Sequence, residues 1–179
     1  MALIRAVNVG GHSNVKMSDV RKRFEALGLN DVASYIQSGN VVFSSGEEDP
    51  LLLARKIETE MSALTGRKIT VFVLSPEELK KAAVGNPFDP ERRDKEQRCH
   101  LMFLSAAPAM ARREALMALQ GEEYRFHFRG KVLYFAYSRK YDGIRRMIDF
   151  EKVLGVAGSA RTWKVVDKLI ELASRPEDR

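Results

Sequence analysis

The stretch VASYIQSGNVVFS, residues 32–44, decides how the N-terminal half of the chain is expected to fold. It contains two short runs rich in β-branched and aromatic residues, 32–37 and 41–44, on either side of Ser38-Gly39-Asn40. Apolar runs joined by a turn that contains Gly and Asn are typical of an antiparallel β-hairpin. The pattern therefore predicts two neighbouring strands in the middle of this half.

A strand and a helix are predicted on each side of this hairpin. Residues 2–9 form an apolar, β-branched run that indicates a buried strand, and a helix with Ser18 as its N-cap follows. Beyond the hairpin, Asp49 and Pro50 are typical of a helix start, and residues 69–74 indicate a fourth strand. The order β-α-β-β-α-β is that of a ferredoxin-like unit, so we expect an antiparallel sheet with the strand order 4-1-3-2.

The second half shows the same order in part. Residues 99–104 indicate a strand, a helix follows Pro108, and two strands flank a hairpin signal at Arg129-Gly130. A further helix is expected to end at Gly155, and Thr162 is expected to cap the last helix. No clear signal indicates a final strand, which we expect to be missing or short.

Together these patterns predict an α+β fold of two ferredoxin-like subdomains packed together, the second with a divergent C-terminal end. The expected boundaries are 1–75 for the first subdomain, 76–97 for a helix and linker, and 98–179 for the second subdomain with its C-terminal helix.

Composition excludes several classes of protein. The chain has 179 residues, 45% of them hydrophobic, but no apolar run long enough for a membrane span. The N-terminus has no signal-peptide pattern, so a cytoplasmic location is expected. A single cysteine, Cys99, excludes a disulfide framework, and three scattered histidines give no metal-ligand spacing. No metal, cofactor or catalytic residue is predicted, and the sequence does not decide whether the chain is an enzyme or what its oligomeric state is.

The positive charge is concentrated in the second half. Residues 1–90 carry 11 basic and 11 acidic side chains, so the net charge of +6 comes from residues 91–179. A basic half is typical both of proteins that bind nucleic acid and of ordinary solvated surfaces.

Three segments carry a resemblance to a known family. They are IRAVNVGG at 4–11 with Arg21 in the helix that follows, YIQSGNVVF at 35–43, and ARTW at 160–163. Together they resemble the bacterial family catalogued as domain of unknown function 1697. Ala6 stands where that family is expected to have glycine, and Thr162 where it is expected to have asparagine. The resemblance implies two ferredoxin-like halves and no established activity.

The predicted topology places two of these segments at one edge of the first sheet. Strand 1 ends where strand 3 begins, and the hairpin and the start of the first helix lie at that same edge. Glycines allow close backbone approach, and a helix start with a nearby lysine attracts anions. The sequence therefore predicts a rim that binds a small polar or anionic ligand. Its candidate residues are Asn8, Gly10, Gly11, Lys16, Gln37, Ser38, Gly39 and Asn40.

Arg161 is a further candidate, because an arginine beside Trp163 can hold a carboxylate. Trp163 itself is expected to be mostly buried at the start of the last helix.

Other interpretations stay open. The amides of the rim are also what a tight hairpin needs to satisfy its own backbone. Nucleic-acid binding by the basic half is a weaker alternative, since strand 1 lacks stacking aromatic residues and the RNA-recognition signature is missing. A protein-interaction scaffold is not excluded.

Overall fold

A computed structural model describes residues 1–8, 15–88, 97–141 and 148–174. The chain divides into two compact units, one made of Met1–Lys80 with the residues from Lys168 onward, and one made of Lys81–Asp167. The subdomain boundaries drawn from the sequence stay a prediction. Within the described ranges, no helix is both long and apolar enough to cross a membrane.

The first unit contains one antiparallel sheet and two long helices. In chain order its elements are β1 (Ala2–Ile4), α1 (Met17–Ala26), β2 (Asn30–Tyr35), β3 (Asn40–Ser44), α2 (Pro50–Thr65) and β4 (Val71–Val73), and α3 (Pro76–Val84) follows. The sheet order is β2-β3-β1-β4, which confirms the predicted order. Phe24 of α1 and Ile57 of α2 pack with Ala2 and Ile4 of β1, so both helices share one core with the sheet.

Strand β1 is shorter than the sequence predicts, because the chain turns after Ile4. Ala6 and Asn8 have φ angles of 55° and 56°, in the left-handed region that a continuing strand does not use. Strand β2 likewise ends at Tyr35, where Ile36 takes a φ of 51°. These turns, and not a uniform pair of long strands, form the edge on which the candidate residues lie.

Of the two helix starts predicted in the first unit, one is confirmed and the other is wrong. The prediction for α2 is confirmed, since Pro50 is its first residue and Asp49 Oδ1 accepts a 2.8 Å hydrogen bond from the Leu51 N–H. The prediction of Ser18 as the cap of α1 is wrong. The helix begins at Met17 with Lys16 in the N-cap position, and no side chain caps it.

The second unit has the same strand order as the first. Its elements are β5 (Gln97–Leu104), α4 (Met110–Met117), β6 (Tyr124–Arg129), β7 (Val132–Ser138), a 3₁₀ turn (Arg139–Tyr141), α5 (Phe150–Leu154), β8 (Gly158–Thr162) and the start of α6 (Trp163–Ala173). The antiparallel sheet has the order β6-β7-β5-β8. The predicted α+β fold with two related four-stranded sheets is thereby confirmed.

The C-terminal end departs from the prediction at its last strand. Strand β8 is present and has five residues, paired with β5 from His100↔Thr162 to Leu104↔Gly158. Its sequence lacks a run of β-branched residues, so its strand conformation depends on pairing with β5 and not on local propensity. Thr162 ends this strand and immediately precedes Trp163, the first residue of α6, so it lies at the predicted cap position, and a cap by its side chain stays a prediction. Trp163 is only partly exposed and mostly buried, as the sequence predicts.

Candidate functional site

Two turns meet at one edge of the first sheet. The Ile4 N–H donates a 2.7 Å hydrogen bond to the Gly39 carbonyl, and Asn8 Nδ2 donates one of 3.0 Å to the Gln37 carbonyl. The structure thus brings Asn8 together with the hairpin turn. Gly10, Gly11 and His12 lie outside the described residues.

Asn8 holds the chain together at the start of α1. Its Nδ2 also donates to the Val15 carbonyl at 2.8 Å, and its Oδ1 accepts from the Val15 N–H at 2.9 Å. Both N–H bonds of the carboxamide and its oxygen are therefore occupied by backbone groups. The hydrogen bonds of Asn8 position the neighbouring residues and leave little capacity for contact with a ligand.

Asn40 and Gly39 support the hairpin. The Asn40 side chain is fully buried, and its Nδ2 donates to the Tyr35 carbonyl at 3.2 Å and to Ser38 Oγ at 3.0 Å. Gly39 has a φ of 73°, and a Cβ at this position would lie 2.7 Å from the Ile4 carbonyl oxygen. Only glycine allows the two turns to approach so closely. The contacts of Ser38, Gly39 and Asn40 therefore stabilise the turn itself.

An open cavity of about 440 Å³ lies beside these turns. Two of its lining residues lead into α1, three belong to the first turns of α1, and one belongs to the hairpin: Val15, Lys16, Met17, Ser18, Arg21 and Gln37. Lys16, Ser18 and Gln37 are exposed. Within the described part of the chain, their side chains make no hydrogen bond or ion pair. These groups are therefore available to a molecule in the cavity.

The electrostatics of the cavity favour an anion. Lys16 and Arg21 contribute two positive charges, and the start of α1 presents backbone N–H groups that no side chain caps. Arg21 is half-buried, and its Nη1 donates a 2.8 Å hydrogen bond to Ser34 Oγ of β2, which fixes the guanidinium. Arg67 Nη2 donates to the Ala6 carbonyl at 2.7 Å and places a further cation at the same turn. Over the described residues, no group of three or more His, Cys, Asp or Glu side chains could hold a metal ion.

Arg21 and Ser18 line the cavity but are not among the rim residues predicted from the sequence. Arg21 appears in the family-like segment, but nothing in the strand pattern connects it to the hairpin. The helical spacing does connect Arg21 with the start of α1. Arg21 follows Met17 by four residues, and side chains at this spacing lie on one face of a helix.

Arg161 lies in the second unit, on β8 opposite Leu101. Only 9% of it is exposed, and its Nη1 donates to Ser159 Oγ at 3.0 Å and to the Ala160 carbonyl at 2.8 Å. Burial lowers the pKa of Arg161 to about 10. These two hydrogen bonds are made within its own strand, and the role of Arg161 in ligand binding stays a prediction.

The second unit also contains a largely buried histidine that is uncharged at pH 7. His100 stacks on Phe135, with ring centroids 4.7 Å apart and planes 4° from parallel, and on Tyr137 at 5.6 Å. Burial lowers its pKa to about 4, so the ring is neutral at pH 7. Among the described residues, its Nδ1 has no hydrogen-bond partner.

The aromatic residues of β6 bear on the nucleic-acid alternative. Phe126 is buried in the core of the second unit, and Tyr124 and Phe128 pack against that core. Rings in these positions are not displayed for stacking on bases. Nucleic-acid binding stays a prediction that rests on the basic charge alone.

Comparisons with known proteins agree with the fold. The family model described as "Protein of unknown function (DUF1697)" matches residues 1–134. Among solved structures, a conserved bacterial protein from Streptococcus pneumoniae is similar over 97% of both chains, with a TM-score of 0.71 and 21% sequence identity. No curated protein matches the sequence. A likeness at this identity concerns the fold alone.

Proposed function

Because this chain belongs to the DUF1697 family of unknown function, we propose its role from its own geometry: it binds a small anionic ligand in the cavity at the start of α1. The observation that carries the proposal is the pairing of Lys16 and Arg21 in one open cavity beside the uncapped helix start. Charge-assisted hydrogen bonds from such groups are stronger than neutral ones, and an anion accepts them from both residues.

The backbone around the cavity supports this proposal. Ile36 has a φ of 51° and is half exposed, although a β-branched residue is rare in the left-handed region. Such strain is found at functional sites, where the surrounding contacts hold the chain in an unfavourable conformation. Here the Asn8 bonds to Val15 and Gln37 supply those contacts, so the cavity is preformed.

The ligand-facing groups in this proposal are Lys16, Ser18, Arg21 and Gln37, and the other rim residues position them. Cys99, the single cysteine of the sequence, is buried, and a cytoplasmic location is part of the proposal.

A thermal-shift screen over phosphate, pyrophosphate, organic phosphates and carboxylates tests the proposal. A ligand present at 100 times its Kd stabilises the native state by about 2.7 kcal/mol, which raises the melting temperature measurably. We expect Lys16→Gln to abolish the shift. Lys22→Gln, which removes an exposed charge from the same helix outside the cavity lining, should keep it. The proposal fails if no anion shifts the melting temperature, or if both variants respond as the original protein does.

A further inference from the structure

The cavity is larger than a single inorganic anion needs. Its volume of about 440 Å³ falls within the range of about 300–1,000 Å³ that is usual for small-molecule sites. A water molecule accounts for about 30 Å³ of liquid, and an inorganic phosphate is only a few times larger, so it would leave most of the cavity to solvent. The size therefore favours an organic ligand.

The two cations of the cavity are carried by separate positions on the backbone. Arg21 lies five residues beyond Lys16. The helical rise of 1.5 Å per residue places their backbones about 7.5 Å apart along the axis. Arg21 is anchored to Ser34, whereas Lys16 is exposed on a long, flexible stem. A ligand with two anionic groups can give each cation its own partner, whereas a single group has to share its oxygens between the two cations.

The lining between the charges suits a short carbon skeleton. Val15 and Met17 contribute apolar surface, while Ser18 and Gln37 contribute a hydroxyl and a carboxamide. Ligand sites commonly combine apolar walls with a few polar groups that fix orientation.

We infer that the ligand carries two anionic groups, phosphate or carboxylate, at the two ends of a short organic skeleton. One group binds Lys16 and the Ser18 hydroxyl, and the other binds the remaining N–H groups of Arg21. Gln37 hydrogen-bonds to the skeleton between them. This inference rests on the proposed function, and it adds the chemical class of the ligand.

Isothermal titration with matched ligand pairs tests the inference. Fructose 1,6-bisphosphate is compared with fructose 6-phosphate, and adipate with hexanoate, so that each pair differs by one anionic group. We expect the member with two anionic groups in at least one pair to bind about tenfold more tightly, as a charge-assisted hydrogen bond allows. The pair that shows the preference identifies the anionic group as phosphate or carboxylate.

Variants locate the effect in the cavity. Arg21→Gln and Lys16→Gln should each reduce the preference to about threefold or less, and Lys22→Gln should leave it unchanged. Should Arg21→Gln fail to fold through loss of its bond to Ser34, Lys16→Gln decides alone, since Lys16 is exposed and its side chain makes no hydrogen bond or ion pair within the described residues.

Three results would overturn the inference. Equal affinity within each pair, with binding still dependent on Lys16, refutes a ligand with two anionic groups and leaves the proposed function in place. A preference that persists in both cavity variants locates binding elsewhere. If none of the four ligands and none of the anions in the thermal-shift screen binds, both the inference and the proposed function are refuted.

Discussion

Replacing Gly39 by alanine tests the close approach of the two turns that frame the cavity. The added Cβ would lie 2.7 Å from the Ile4 carbonyl oxygen and 3.0 Å from its Cβ, while the φ of 73° remains unfavourable for alanine. The 2.7 Å hydrogen bond from the Ile4 N–H to the Gly39 carbonyl would be strained by the shift that relieves these contacts.

Gly28→Ala provides the matched control. Gly28 has a φ of 78°, but a Cβ there would meet nothing within 4 Å. This variant therefore measures the left-handed penalty alone, about 1 kcal/mol after the lower entropy of the unfolded alanine chain is included. Gly39→Ala adds packing strain of about 1–3 kcal/mol and part of a hydrogen bond, for a total loss of about 3–4 kcal/mol.

Urea denaturation followed by circular dichroism measures both free energies of unfolding. The expected result is a loss for Gly39→Ala that exceeds the loss for Gly28→Ala by about 2–3 kcal/mol. Equal losses would refute the reasoning, because they would mean that the turn at Gly39 is free to move away from Ile4.

Three other predictions follow from single residues. Ala6→Gly should raise the free energy of unfolding by about 0.5–1 kcal/mol, because relief of the left-handed strain exceeds the entropy that glycine loses on folding; an unchanged or lower urea midpoint would count against the φ of 55° at Ala6. Asn40→Ala should lower the free energy of unfolding by about 1–3 kcal/mol, since it leaves buried backbone and hydroxyl partners unsatisfied; full stability in urea would show that the Asn40 bonds to Tyr35 and Ser38 contribute nothing. For His100, burial holds the folded pKa at about 4, below the ordinary value of 6.5, so protonation favours the unfolded chain. The stability that the neutral ring contributes is complete above pH 6.5 and is lost as the pH falls towards 4, by about 2 kcal/mol at pH 5. His100→Phe keeps a stacking ring and should abolish this part of the pH dependence in urea unfolding at pH 7.5 and 5, whereas an identical decline in both proteins would assign it to other groups.

The strand order of the first sheet followed from the sequence because each boundary there has a local cause. Asp49 and Pro50 start α2, and the Ser38-Gly39-Asn40 turn joins β2 to β3. The β-α-β-β-α-β order of these elements is typical of one sheet topology. In that topology the end of β1 lies beside the hairpin.

The features that the sequence did not reveal depend on contacts between distant residues. The run from Ile4 to Asn8 looks like a continuing strand, yet Ala6 and Asn8 turn in the left-handed region because Asn8 bonds to Val15 and Gln37. Strand β8 has no local β signal and forms by pairing with β5. Arg21 lines the cavity because of its position on α1, and the strand patterns of the sequence do not predict which face of α1 meets the hairpin.

The double hydrogen bond between Asn8 and Val15 joins two backbone positions that are seven residues apart in the sequence. The Asn8 side chain binds the N–H and the carbonyl of one residue, as a neighbouring strand residue would in a β-ladder. The Val15 N–H should therefore exchange with solvent as slowly as the N–H of a paired strand residue, which makes it a probe of local opening at the start of α1.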